Sequence, residues 1–199
     1  MIDTILIDFD GVIRHWSNQE IGQAEHELGL NSGTLFSVAF SPSQLLPAIT
    51  GQISHETWLQ LVQEALDAKH SPSIAHKLIT AWEEATFTID YQFLAQIRSA
   101  ANAAQLVLVT NATSKLPSDL QGAELANAFD VIVNSSAIGV AKPDIGFYTK
   151  AIELAGTAPN NCLFIDDSAK NVAAAQALGI SSLRHTNSAE TLHFIKQHL

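Results

Sequence analysis

Two carboxylates stand two residues apart at the end of an apolar run, Thr4-Ile5-Leu6-Ile7-Asp8-Phe9-Asp10-Gly11-Val12-Ile13. Such a run reads as a buried strand that delivers acids to its end. Residues i and i+2 of an extended chain share a face, so Asp8 and Asp10 are expected to point at one site if the strand persists past Phe9. Anions held that close repel unless a proton or a cation lies between them, and Mg²⁺, a hard ion that takes oxygen ligands, fits the need. Gly11 allows the backbone to turn away and leave the acids at the strand tip. A second acidic pair, Asp166-Asp167, closes the apolar run Cys162-Leu163-Phe164-Ile165. Between them, Thr110-Asn111 closes Leu106-Val107-Leu108-Val109, and Lys142 sits in Gly139-Val140-Ala141-Lys142-Pro143-Asp144. A hydroxyl with turn N–H groups can cradle phosphoryl oxygens, and an ammonium can neutralise them. Taken singly, each feature has a plainer reading: Thr110 as a turn former, Lys142 as a surface lysine, Asp166 or Asp167 as a helix cap.

The elements that must position these groups read as an alternation. Helical spacing in Tyr91 to Ala104, a strand at Leu106 to Val109, a strand at Val131 to Val133, a helix from Asp144 to Ala155, and a strand at Cys162 to Ile165 follow in turn. A helix from Asn171 to Leu178 stopped by Gly179, a strand at Ile180 to Leu183 and a helix from Ala189 to Gln197 complete the series. This pattern implies a parallel sheet with helices on both faces, a Rossmann-like α/β core, in which ligands bind at the carboxyl ends of the strands. Asp8, Thr110 and Asp166-Asp167 all fall at such ends. From Arg14 to Ala85 the period is helical instead: Ile21 to Leu30, Asn31 to Phe40, Ser54 to Leu66 with Ser54 as N-cap, and a helix opened by Ser71-Pro72. Residues 14–85 are therefore expected to be an all-helical insert, and 1–13 with 86–199 a discontinuous core. Trp58 and Trp82 belong to its apolar stripes, most of His26, His55, His70 and His76 are expected to face solvent, and His15 and Trp16 lie where the chain leaves the core. Gly146 is expected to loosen the helix after Asp144 by about 1 kcal/mol, the cost of glycine in a helix interior.

The chain has 199 residues, of which 47% are hydrophobic and 15% charged, with a formal net charge of −10. That size allows one buried core and a small second module. The negative charge disfavours a nucleic-acid partner, although a local cation still allows a small anionic substrate. Cys162 is the single cysteine, so an intramolecular disulfide is impossible and a reducing setting fits. No basic n-region opens the chain and no run reaches the ~18 apolar residues of a membrane helix, so a cytoplasmic protein without membrane attachment is expected.

Asp8-Phe9-Asp10-Gly11-Val12, Thr110-Asn111, Lys142-Pro143-Asp144 and Asp166-Asp167, in this order, resemble the four motifs of the haloacid dehalogenase superfamily. The resemblance covers nearly the whole chain, and the insert after the first motif resembles the family's helical C1 cap. It implies a Mg²⁺-dependent phosphohydrolase acting on a small phosphorylated metabolite. Asp8 would be the nucleophile that forms an aspartyl-phosphate, and Asp10 the general acid and base. Thr110, Asn111 and Lys142 would bind the phosphoryl group, and Asp8, Asp10 through its carbonyl, Asp167 and Asp166 would hold the metal. Asp167 is favoured as a direct ligand, with Asp166 behind it or as an alternate and Asn171 further out. A phosphomutase would use the same core residues. A 2-haloacid dehalogenase on the same fold works without metal and lacks the second carboxylate, which Asp10 supplies here. A non-catalytic phospho-ligand-binding module would not need the nucleophile and the acid together.

Overall fold

The computed structural model describes residues 1–101 and 103–199. Its centre is a five-stranded sheet of β1 (Thr4–Ile7), β4 (Gln105–Thr110), β5 (Val131–Asn134), β6 (Cys162–Asp166) and β7 (Ser181–Arg184), in the order β5-β4-β1-β6-β7. All neighbouring pairs are parallel, with Ile7 level with Leu108 on one side and Ile165 on the other. β1 is therefore the central strand, and its four residues are all buried, as the uniformly apolar run requires of a strand covered on both faces. Alternate side chains go to opposite layers. Ile5, Ile7, Leu106, Leu108, Leu163 and Ile165 pack against α6 (Tyr91–Ala101), α7 (Leu116–Gly122) and α11 (Ser188–His198). Leu6, Val107, Val109 and Phe164 pack against α9 (Ile145–Ala155) and α10 (Ala169–Ala177). The expected Rossmann-like core is what the chain forms, and β4, β5, β6 and β7 lie within a residue or two of their expected places. The short α8 (Ser135–Ile138) follows β5 directly.

Gly146 behaves differently from the expectation. It lies in the first turn of α9, where its N–H donates to the Asp144 carboxylate at 2.7 Å, and a Cβ there would come within 3.1 Å of that same oxygen. Glycine fits a tight cap at this point instead of weakening a helix interior.

Between β1 and α6 the chain forms α1 (Gln19–Glu27), α2 (Thr34–Ala39), α3 (Pro42–Ile49), α4 (His55–Lys69) and α5 (Pro72–Glu83). Ser54 and Ser71 cap α4 and α5 by accepting from the backbone N–H of Thr57 and Ile74. These helices bury a core of their own, in which Leu35, Val62, Leu66 and Leu78 are fully enclosed, and Trp58 and Trp82 meet edge to face at 5.0 Å. The segment is not all helical. Arg14–Trp16 (β2) and Phe87–Ile89 (β3) pair as an antiparallel ribbon, with Arg14 opposite Ile89 and Trp16 opposite Phe87. The ribbon frames entry to and exit from the helices, so Arg14 at one boundary and Thr86 to Asp90 at the other belong to one element.

The insert also touches the sheet domain directly, and His55 does not face solvent as a surface residue would. Its backbone N–H donates to Ser114 Oγ at 2.9 Å and its Nδ1 lies 3.0 Å from Thr113 Oγ1, both in the loop after β4. Nearby, Gly51 has φ of +71° and lies so close to the Ser136 carbonyl that a Cβ would overlap it. No helix among the described residues is long and apolar enough to cross a membrane. Gly51→Ala is expected to weaken this docking by at least about 1–2 kcal/mol, the cost of left-handed backbone for a residue with a Cβ. Hydrogen exchange should then quicken at residues 51–58 and 113–115 and stay unchanged in β1; equal exchange throughout would contradict the contact.

Candidate active site

The central strand stops at Ile7, and Asp8 is the first residue beyond it, its N–H still bonded to the Ile165 carbonyl at 2.9 Å. β6, the neighbour of β1, carries Asp166 and Asp167 to the same edge. Asp8, Asp166 and Asp167 each bring a carboxylate oxygen within 4.8 Å of the others. Asp8 and Asp166 are buried, whereas Asp167 is exposed, with its carboxylate over the face of Gly11, where a Cβ would collide with it. The positive φ of Gly11, 82°, and its missing side chain are thus both used.

Lys142 enters this cluster from the other side. Its side chain is 1% exposed, and the ammonium touches Asp8 Oδ1 at 2.9 Å, Asp166 Oδ2 at 2.7 Å and the Val109 carbonyl at 2.9 Å. The backbone around the lysine is clamped by Asn111, whose amide donates to the Lys142 carbonyl and accepts from the Lys142 N–H, both at 2.8 Å. Asn111 therefore spends its side chain on the lysine loop. Thr110, buried at the end of β4, stands beside it. Asp166 is further held by the Ser168 N–H at 2.8 Å and by the Asn171 amide at 3.0 and 3.1 Å.

This network leaves the two oxygens of Asp8 unlike. Oδ1 accepts from the Phe9 N–H at 2.8 Å and from Lys142, while Oδ2 has no hydrogen bond among the described residues. Burial pushes the Asp8 carboxyl up to about 8; Lys142 opposes the shift and Asp166 adds to it. Burial works to lower the Lys142 pKa, but Asp8 and Asp166 overcome it and the net shift is upward. Burial, then the charge of Asp166, raises Asp167 as well. Burial is thus the largest cause for Asp8 and Asp167, while Asp166 adds to both shifts and the acids raise Lys142 against its burial, which leaves the cluster short of positive charge. A ligand set made only of carboxylate oxygens, short of positive charge and arranged around a glycine, fits a hard divalent cation of the Mg²⁺ kind.

Asp10 is not part of this cluster. The backbone turns at once after Phe9, whose carbonyl accepts from the N–H groups of Val12, Ile13 and Arg14, so the extended geometry that would have aligned Asp10 with Asp8 ends. The Asp10 side chain goes instead to the ribbon, where Arg14 donates from Nε and Nη2 at 2.7 and 2.9 Å and Trp16 Nε1 donates at 2.8 Å. Arg14 and its second carboxylate partner, Asp119, were not visible as site residues in the sequence, because the one lies in a strand of three residues and the other in a polar helix. The buried His185 was also missed; its N–H bonds the Asp166 carbonyl at 2.8 Å and its Nδ1 lies 2.8 Å from Thr191 Oγ1.

A family model for hydrolases, the haloacid dehalogenase-like hydrolases, matches residues 2–179. A curated relative, haloacid dehalogenase-like hydrolase domain-containing protein 3 of Xenopus laevis, is 26% identical over 78% of this chain and 70% of its own length. A sesquiterpene phosphatase of Aspergillus oryzae is 38% identical over a stretch that is 35% of either chain. A phosphatase of Mycobacterium tuberculosis is 38% identical over 36% of this chain and 33% of its own. The matched stretch thus spans about a third of the length of these two phosphatases. Among solved structures, a family enzyme of Bacteroides thetaiotaomicron in complex with magnesium and inorganic phosphate superposes with a TM-score of 0.73, at 21% identity over 94% of this chain and 95% of that one. An L-2-haloacid dehalogenase of Xanthobacter autotrophicus gives 0.63, at 21% identity over 92% and 77%. These likenesses are of fold.

The electrostatics give a test that needs no substrate. In Lys142→Met the buried carboxylates lose their cation, which typically costs about 3–5 kcal/mol. The folded-state pKa of Asp8 then lies further above its unfolded value, so the stability that depends on its protonation is fully present below about pH 4 and is lost as pH rises. Thermal unfolding of metal-free protein should show the variant's deficit widening as pH rises above about 8, where Asp8 ionises in the folded parent but stays protonated in the folded variant. A deficit independent of pH would mean that Lys142 acts through packing alone.

Proposed function

We propose that this chain, which belongs to the haloacid dehalogenase-like hydrolases, hydrolyses a small phosphate monoester through an aspartyl-phosphate on Asp8. The observation that carries the reading is the asymmetry of that carboxylate. Lys142 and the Phe9 N–H fix Oδ1, which leaves Oδ2 free at the strand tip as the attacking atom. Attack in line forms the Oδ2–P bond as the P–O bond to the leaving group breaks, and Asp10 gives its proton to the departing alkoxide. In the second half Asp10 takes a proton from water, the water oxygen joins phosphorus, and Asp8 is released. Lys142 stays paired throughout and offsets the charge that two anions bring together. Thr110 at the end of β4 and the backbone of Asn111 would face the phosphoryl oxygens.

Asp8, Asp166 and Asp167 would hold Mg²⁺, with the Asp10 carbonyl as a further donor and Asn171 supporting Asp166. When bound, the ion would supply Lewis-acid neutralisation of the phosphoryl group. The family holds both phosphatases and dehalogenases, and here the acidic cluster together with Asp10 favours phosphoryl transfer. The helices of residues 14–85 would serve as a cap over the strand ends, and the β2–β3 ribbon as its connection. The buried Cys162, its thiol pushed up to about 11 by burial, suits a reducing cytoplasmic setting.

A panel of phosphorylated metabolites assayed with Mg²⁺ tests the proposal. Turnover should vanish with EDTA, return with Mg²⁺, remain low with Ca²⁺, whose larger and looser shell misplaces the nucleophile, and fall to background in Asp8→Asn. Undiminished activity in metal-free buffer would refute the metal assignment. Activity surviving in Asp8→Asn would refute the nucleophile, and a chain that binds phosphate esters without turnover would be a binding module.

A further inference from the structure

Arg14 is a second buried cation near this edge of the sheet. It is 5% exposed, and its guanidinium carbon lies 4.5 Å from the centre of the Phe9 ring, 4.7 Å from that of Trp16 and 5.5 Å from that of Phe87. Nε and Nη2 form a two-point fork on Asp10, and Nη1 donates to Asp119 Oδ2 at 2.8 Å. Burial works to lower the Arg14 pKa, but Asp10 and Asp119 overcome it. One buried cation is thus shared by two carboxylates that are not equivalent. The Asp119 side chain is 13% exposed and is also bound by Lys115 at 2.9 Å, whereas the Asp10 side chain is 39% exposed.

We propose that Arg14 is a positioning residue for Asp10: its fork, completed by the Trp16 indole N–H, aims the Asp10 carboxylate at the leaving-group oxygen, and Asp119 keeps the guanidinium paired when Asp10 engages substrate. The proposal rests on Asp10 being the general acid and base. Three features support it. Asp119 alone would pair the arginine, so a purely structural ion pair would not need the fork on the more exposed acid. The planar fork fixes both the position and the plane of a carboxylate, which a point charge cannot do. Arg14 is itself too buried, and its nitrogens too fully engaged, to be a ligand for the phosphoryl group. Because Arg14 begins β2 and Trp16 ends it, the acid is tied to the ribbon that joins the helical insert to the core, and these contacts couple the insert's placement to the chemistry.

The test is a double-mutant cycle with Mg²⁺ present, read on phenyl phosphate, whose leaving group needs a proton, and p-nitrophenyl phosphate, whose leaving group hardly does. Asp10→Asn should lose about 10² to 10⁴ in kcat on the first and far less on the second. Arg14→Met should show the same preference, with a loss on the order of tenfold or more on phenyl phosphate, the worth of a charge-assisted hydrogen bond. Its KM should change little, and the double variant should be no slower than Asp10→Asn alone. Arg14→Lys keeps a cation opposite Asp119 but loses the fork, so it guards against a fold that fails in Arg14→Met; it should show the same leaving-group signature. Wild-type rates in Arg14→Lys on phenyl phosphate, equal losses of Arg14→Met on both substrates, a KM effect alone, or losses that multiply with Asp10→Asn would each overturn the proposal while leaving the reading of Asp10 intact. An Asp10→Asn enzyme without leaving-group dependence would overturn the acid and base reading itself, and this proposal with it.

Discussion

A lysine ammonium buried between two carboxylates sets the terms for this structure. Lys142 is held by Asp8, Asp166 and the Val109 carbonyl, so three strands must end in register around one charge. Burying ions is costly unless geometry and hydrogen bonds compensate, and the compensation here comes from several elements at once. β1 and β6 lie side by side and bring Asp8 and Asp166 to one edge. β4, on the other flank of β1, offers a carbonyl from Val109 and then Asn111, which clamps the lysine backbone from both sides. The result is a carboxylate with one oxygen fixed and the other free, which is what an attacking group requires.

A similar solution appears a few residues away. Arg14 also stands between two acids, Asp10 and Asp119, and is also screened from water, there by Phe9, Trp16 and Phe87. These two buried cations serve different parts of the sheet edge. Lys142 belongs to the core and addresses the acids at the tips of β1 and β6; Arg14 belongs to the ribbon and addresses the acid nearest the insert. Phe9 separates them, its carbonyl taking the N–H groups of the turn that redirects the chain after Asp8. Asp8 and Asp10 are two residues apart yet sit in different electrostatic settings, as the proposed nucleophile and proton donor would need.

The core was legible in the sequence because its signals are local. β4 and β6 are apolar runs that end in polar residues, and a parallel sheet puts such ends on one edge, so Asp8, Thr110, Asp166 and Asp167 could be placed together from their positions alone. Ser54 and Ser71 announced the helices that they cap. What could not be read depends on partners far away along the chain. β2 and β3 have three residues each, too few for a periodic signal, and they exist because Arg14 to Trp16 meets Phe87 to Ile89. α3 escaped notice because Pro47 lies inside it, a residue that usually ends a helix. Asp8 and Asp10 would share a face only if the strand persisted past Phe9, and the period of two does not reach Asp10 because the strand stops at Ile7. His55 looked like a surface histidine by helical spacing, and its bonds to Thr113 and Ser114 become visible only once the insert is docked on the core.

The central claim is that Asp8 is the atom source of a covalent intermediate, held ready by Lys142. It is tested most directly by mixing the enzyme and Mg²⁺ with a radiolabelled phosphate ester, quenching in acid within the first turnover, and mapping the label by proteolysis and mass spectrometry. The account predicts label on the peptide that contains Asp8, on that carboxylate, sensitive to hydroxylamine as an acyl-phosphate must be. Label on any other residue, or turnover with no labelled protein at the earliest times under conditions that stabilise acyl-phosphates, would contradict it.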